Sequence, residues 1–230
     1  LLSFVAGMVN VTGVLSIQTL ITNVTGHFAY FAEEIMKRDY AAAITFFVFI
    51  IFFLFGAFIS NFLSELVSKK HPNLHHVIPI SIEITILIGV AIFGVQTELG
   101  SNEGKWVASS MLFAMGMQNA LVTKISKSTV RTTHLTGLFT DLGIELSQLF
   151  FYKKPEERKR LKKSIYLRLS IIAFFFIGCI SGGFIYNALQ LKTLFVAATF
   201  LLIALLYDYI RLSFFVIKRK AIFKKAILNK

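Results

Sequence analysis

"NVTGHFAYFAEEI" (23–35) and "HLTGLFTDLGIEL" (134–146) decide how this chain is read. Thr25, Gly26, Phe28 and Glu34 of the first stretch return 111 residues later as Thr136, Gly137, Phe139 and Glu145. Across 22–36 and 133–147, five of fifteen positions are identical, where chance from average composition gives about one. A partly polar unit is used twice in a chain that is otherwise strongly apolar.

That apolarity bounds the class. The chain has 230 residues, 56% of them hydrophobic, and a mean hydropathy of +0.71. Runs such as "YAAAITFFVFIIFFLFGAFISNFL" (40–63) exceed the roughly 20 apolar residues a membrane helix needs. We expect an all-α polytopic membrane protein. Six stretches read as full spans: about 1–18, 40–66, 77–96, 106–123, 164–187 and 193–217.

The repeated pieces fit no ordinary span. The apolar part of the second, 138–151, reaches roughly 21 Å as a helix, against about 30 Å of hydrocarbon. Extending it upstream brings in His134 and Arg131, and the first piece carries Glu33 and Glu34. Two topologies compete. In one, both pieces are re-entrant half-helices between six spans. Three spans per copy then make the internal repeat inverted. In the other, both pieces cross, giving eight spans and parallel copies. Charge separates them poorly. The re-entrant topology puts 18 Lys/Arg in loops 69–76, 124–131, 153–163 and 218–230, with Lys37, Arg38, Lys105 and Lys192 outside. Length and polarity favour the re-entrant form.

Further matches support two halves. "AGMVN" (6–10) pairs with "AMGMQN" (114–119), and "FLFGAFIS" (53–60) with "FFIGCISG" (175–182). The spacing widens to 122 there, by the length of the basic stretch 153–163. We divide the chain into a first repeat (1–76), a third span and external loop (77–105), a second repeat (106–217) and a basic cytoplasmic tail (218–230). Gly56 and Gly178 are expected at close helix contacts. Trp106, Tyr40 and Tyr152 fall at expected interfaces.

The net charge of +12 sits in loops such as "KKPEERKRLKK" (153–163). That fits an anionic cytoplasmic leaflet, and without a recognition motif we expect no nucleic-acid partner. Cys179 is single, so no intrachain disulfide forms. "HPNLHH" (71–76) has metal-like His spacing but no Cys or carboxylate, so neither a metal nor a cofactor is expected. No hydrolase, protease or phosphate-loop motif appears, so no enzyme is expected. The chain opens on Leu1, and its true start is expected upstream.

The candidate site follows from the repeat. Thr25-Gly26 and Thr136-Gly137 read as helix starts in which Thr caps and Gly permits close approach. Near mid-membrane, two such starts meeting from opposite sides would favour an anion or polar oxygen. Asp141 and Glu145 share one helix face; Tyr30 and Glu34 share the matching one, with His27 a turn earlier. Intramembrane carboxylates mark a solute or proton path or lock helices together, and Asn10 and Asn119 are either helix glue or pathway groups. Glu83 stands alone in its span, with Arg168 or Arg211 as the expected partner.

These segments resemble the YoaK (DUF1275) family of bacterial integral membrane proteins. The resemblance rests on "AGMVNVTGVL" (6–15), "TNVTGHF" (22–28), "AMGMQNALVTK" (114–124) and "TTHLTGLFTDLG" (132–143). The family pattern often has Asp at position 10 and Asn at 27, where this chain has Asn10 and His27. It implies a bacterial multi-pass membrane protein with no settled activity; the loop charges lead us to expect the plasma membrane with the C-terminus cytoplasmic.

Our expectation is a transporter or channel for a small polar solute, anions included. Thr25, Gly26, Thr136 and Gly137 would contact it; Glu34 and Glu145 would gate it or couple it to protons. Asp141, His27, His134, Asn10 and Asn119 complete the candidate binding set, and no catalytic residue is assigned. Partners are the bilayer and the solute, and a homo-oligomer is compatible. The rivals are a non-conducting scaffold or sensor and an intramembrane lipid-modifying enzyme using His134 with Asp141 or Glu145.

Overall fold

The computed structural model describes residues 1–69, 74–94, 101–125 and 135–208, and every regular element among them is helical. The helices are α1 (Leu2–Ile17), α2 (Val24–Met36), α3 (Tyr40–Ser68), α4 (Val77–Phe93), α5 (Asn102–Ile125), α6 (Leu135–Phe151) and α7 (Pro155–Leu189). A 3-10 turn (Gln190–Lys192) leads into α8 (193–208). Tyr40–Ser68 and the helical run Pro155–Asp208 are long and apolar enough to cross a bilayer, and Leu2–Ile17 and Val77–Phe93 are shorter apolar helices. In each of the two long runs only 22% of the most apolar window is buried within the chain. Phe47, Leu54, Phe58 and Phe62 on α3 stand exposed. An apolar face of that extent marks a surface that meets lipid or another apolar partner.

One boundary differs from expectation. The basic stretch 153–163, read as a loop, is helical from Pro155 on and forms the first turns of α7. Pro155 sits at the first helical position, where its missing N–H costs nothing, and Glu156 and Glu157 meet the positive end of the helix. Three helix ends turn on non-glycine residues with positive φ: Gln18, Arg38 and Gln190.

Two parallel helix pairs form the centre. Phe52 faces Trp106, Phe55 faces Phe113, and Lys124 reaches Glu65 at 2.7 Å, so α3 and α5 run side by side in one direction. Gly178 lies on Phe4 and Gly182 on Met8, so α1 and α7 do the same. The crossings are reciprocal. A Cβ built on Gly7 would stand 2.1 Å from the Phe175 carbonyl oxygen, and one on Gly178 2.1 Å from that of Phe4. Gly116 meets Phe53 and Gly56 meets Phe113 at the same 2.1 Å. Only hydrogen fits at these four positions, so the backbones touch, as small residues allow between apolar helices. Cys179 adds a weak sulfur contact to the Gly7 carbonyl at 3.3 Å. Met8, Leu112, Met115, Leu194 and Leu201 fill the interior between the pairs.

The remaining contacts fix directions. Phe4 touches both Gly178 and Phe200, so α8 folds back along α7. Gly94 lies against Leu191, while His76 approaches Asp208 at 3.6 Å, so α4 runs opposite to α8. The Ser64 hydroxyl donates to the His75 carbonyl, so α3 and α4 form a hairpin. It follows that α1 and α3 run in opposite directions. Segment 18–39 therefore leaves and re-enters at the same end of the bundle.

Candidate functional site

What 18–39 does between those points is set by Asn10. Gln18 turns the chain out of α1, and Ile21 folds back on Gly13. The Asn10 side-chain oxygen accepts from the Ile21 and Thr22 N–H groups, both at 3.1 Å, and from the Thr22 hydroxyl at 3.0 Å. A non-helical limb inside an apolar bundle leaves N–H groups unmet, and this one amide meets two of them. Asn10 is thus committed as a structural acceptor. Asn119 occupies the matching place on α5, and the chain that follows it, 126–134, lies outside the described residues, as does His134.

Helix α2 then starts deep. Its cap is Asn23, whose side chain accepts from the Gly26 N–H at 3.1 Å, so Thr25 is not the cap. Thr25 lies exposed in the first turn and Gly26 is half-buried. The His27 ring packs 5.5 Å from Phe49, and Tyr30 stacks 5.2 Å from Phe46. Phe49 lies nine residues into α3, which places the start of α2 roughly 14 Å along that helix. His27 is buried, with Nε2 donating to the Leu20 carbonyl at 2.9 Å and Nδ1 without a partner among the described residues. At the other end of α2, Lys37 holds both Glu33, at 2.7 Å, and Glu34, at 2.9 Å. Those two carboxylates raise the Lys37 pKa, so it stays charged.

The second copy has the same frame with different chemistry. Leu138, matching His27, packs on Ile171. Arg168 donates through Nε to Glu145 at 3.0 Å and through Nη1 to Asp141 at 2.8 Å. The Ser164 hydroxyl donates to the other Glu145 oxygen at 2.6 Å. Ser164 and Arg168 are four apart on α7, and Asp141 and Glu145 four apart on α6, so the two faces meet in register. The spacings are compatible in the sequence, but Arg168 pairs here and not with Glu83, the partner the sequence offered for it. Thr136 is exposed, and Gly137 is half-buried. An open cavity of about 680 Å³ lies beside this cluster, lined by Glu145, Gln148, Tyr152, Arg160, Lys163 and Arg168, among others.

Not every expected neighbour meets. Helix α2 packs on α3 and α6 on α7, with no contact between α2 and α6 among the described residues. The two Thr-Gly starts are therefore not joined in one direct contact. Two residues gain importance that the sequence did not assign. Glu83 is 1% exposed, and neither carboxylate oxygen has a partner among the described residues. Gln118 is fully buried; its Nε2 donates to the Leu2 carbonyl at 2.6 Å, while its Oε1 has no partner among the described residues.

The comparison with known families bears on all of these helices at once. A family model for DUF1275, described as a protein of unknown function, matches residues 1–207. The chain belongs to the DUF1275 family. The match takes in both repeated pieces, the four crossing glycines, Glu83 and the Asp141–Arg168–Glu145 cluster. No curated protein and no solved structure matches the chain. DUF1275 membership thus defines the extent of the unit, and the chemistry has to come from the residues themselves.

Proposed function

We propose that this DUF1275 chain is a multi-pass membrane protein, with six spans and two re-entrant half-helices as an inverted repeat, and that it moves a small polar solute across the bilayer. One observation carries the reading. The limb 18–23 turns back to Asn10, and α2 starts roughly 14 Å in along α3, about a third of that helix, before returning to the end it came from. Non-helical backbone at that depth is tolerated where protein buries it or a wet path runs beside it. Half-helix N-termini on such limbs are favourable places for an anion or polar oxygen.

The opposed directions of the matching helices α3 and α7, and of α4 and α8, support the inversion. Because α2 and α6 do not touch, the pathway lies between the two half-helices rather than at a shared tip. Asn10 and Asn23 serve the limb, Thr25 and Thr136 face outward for solute, and Glu145 with Arg168 is the gate. The basic first turns of α7 support a cytoplasmic side for 153–163 in a bacterial plasma membrane. We assign no nucleic acid, metal or enzymatic step, and the oligomeric state is compatible with more than one copy.

The scaffold alternative requires a fixed partner for every intramembrane carboxylate. Glu34, Asp141 and Glu145 have one; Glu83 has none among the described residues. That exception favours transport.

Iso-osmotic swelling of proteoliposomes in chloride, nitrate, urea and glycine tests the reading. We expect swelling well above protein-free vesicles for at least one of the four, reduced at least tenfold in Gly137→Leu and changed in Glu145→Gln. Wild-type vesicles that swell no faster than lipid alone in all four, or unchanged rates in both variants, overturn it.

A further inference from the structure

Helix α4, "VIPISIEITILIGVAIF", contains a single charged residue, and that residue points inward. Glu83 is 1% exposed, and both its oxygens lack a hydrogen-bond partner among the described residues. The elements packed on α4 are α3, α5 and the 3-10 turn, with α8 running opposite. Their titratable or charged groups are Tyr40 and Glu65 on α3; Glu103, Lys105 and Lys124 on α5; Lys192 on the turn; and Tyr207 and Asp208 on α8. Each sits near an end of its element, and His76, which precedes α4, is spent on Asp208. Among the described residues no counter-charge is at the depth of Glu83; Arg211, the other partner the sequence offers, lies outside them.

An ionised carboxylate in that position would have neither water nor a described cation beside it, which is costly in an apolar interior. A neutral acid loses only its hydrogen bonds, a much smaller cost. The conformation described therefore holds Glu83 as –COOH. An aliphatic side chain would suit this pocket better, so the acid is explained by a second arrangement in which it is charged.

We propose that Glu83 is the proton-carrying carboxyl of the transport cycle, an assignment that rests on the transport reading above. In the arrangement described the side chain is –COOH. When the helices rearrange and water reaches α4, it releases H⁺ and becomes –COO⁻; reprotonation from the opposite side resets it. One proton crosses per cycle, with no other bond made or broken.

Two neighbouring features fit that task. A groove of about 460 Å³ between α4 and α5 is lined by Glu103 and Trp106 toward one end and by Ile86 and Ser110 toward the other. Ile86 is within one turn of Glu83, so a small separation of α4 from α5 would extend the groove to the carboxyl. Since α4 and α5 run in opposite directions, the groove brings Ile86 near Ser110 and Phe93 near Glu103, and Gln118 lies about one and a half turns of α5 from the level of Glu83. Its Oε1, without a partner among the described residues, can accept from the Glu83 O–H, and its Nε2, now on Leu2 of α1, can donate to the ionised form. A change of partner by Gln118 would pass the protonation state of α4 on to α1.

Infrared spectroscopy of the full chain in lipid nanodiscs at neutral pH tests the charge state, and pyranine-loaded proteoliposomes test the coupling. We expect a carboxylic-acid carbonyl band that shifts in D₂O, disappears in Glu83→Gln and moves in Glu83→Asp. In vesicles given gradients of chloride, nitrate, urea or glycine, the lumenal pH change per unit of swelling should fall at least tenfold in Glu83→Gln. A wild-type spectrum without a Glu83-dependent acid band, or an unchanged ratio in Glu83→Gln, overturns the assignment. Should wild-type vesicles move none of the solutes while the band is present, transport fails, and the proton-carrying role fails with it. Glu83 would then stand as a static buried acid.

Discussion

Helix α2 on α3 and helix α6 on α7 hold matching places in the two halves, but they are fastened by different forces. In the first, Tyr30 stacks on Phe46 and His27 meets Phe49; in the second, the equivalent positions give Asp141 on Arg168 and Leu138 on Ile171. Aromatic packing is short-ranged and indifferent to salt, whereas an ion pair between half-buried groups can be broken by protonation, by a competing ion or by hydration. The difference teaches that the repeat conserves the frame and varies the fastening. It makes α6 the helix that protonation, a competing ion or hydration can release and α2 the fixed one.

The largest effect should come from what the halves share. Gly7→Ala, Gly56→Ala, Gly116→Ala and Gly178→Ala each drive a methyl into a facing carbonyl, because the Cβ site is 2.1 Å from backbone oxygen in every case. Each should cost about 2–3 kcal/mol, equally in both halves, read as a lowered thermal midpoint in detergent. Gly143→Ala, with nothing within 4 Å of its Cβ site, should change stability by less than about 0.5 kcal/mol. A large loss at one crossing and none at its counterpart would break the equivalence of the halves.

A smaller effect should separate them. Arg168→Met leaves Glu145, only 14% exposed, without its cation, while Asp141, 51% exposed, can turn to water. Losing a buried partner costs about 3 kcal/mol or more; the exposure of Asp141 brings the expected figure to about 2 kcal/mol. Hydrogen exchange should quicken in α6 and stay unchanged in α2. Arg168→Lys should not restore it, since one ammonium cannot reproduce the Nε and Nη1 contacts. Phe46→Ala should do the reverse, loosening α2 alone. Equal loosening of both half-helices by either variant would refute independent fastening.

Much of the fold was legible because apolar length and the Thr-Gly repeat are local signals. The helices fall close to the expected stretches, and Gly56 and Gly178 lie at backbone contacts as expected. The exception, 153–163, misled because a run of Lys and Arg reads as a loop. Proline at the first position and two glutamates after it are the helix signal that outweighs the charge. The site was less legible because partners are a property of packing. Nothing local says that Asn10 will reach Thr22, that Asn23 instead of Thr25 will cap α2, or that Arg168 will choose Asp141 and Glu145 over Glu83. Glu83 itself was visible as a lone acid, but only the bundle shows that it is buried with no partner among the described residues.

The smallest effect is also the sharpest, because it moves one fastening into the other half. Asp141→Tyr, Arg168→Phe and Gln148→Lys together recreate at α6 the arrangement that α2 uses. The first two rebuild the Tyr30–Phe46 stack, and the third gives Glu145 a lysine three residues on, as Lys37 serves Glu34. Stability should return to within about 1 kcal/mol of wild type, since an aromatic pair and an exposed ion pair replace a partly buried one. Salt is the discriminating variable. In the wild type, raising ionic strength should speed exchange in α6 and not in α2, by roughly the 0.5 kcal/mol that a partly exposed pair is worth. In the triple variant that salt response should vanish, as should any solute dependence of α6 exchange. A triple variant as stable as wild type that keeps its salt response would place the sensitivity elsewhere on α7, in the basic turns around Arg160 and Lys163, and the ionic fastening would no longer account for the asymmetry between the halves.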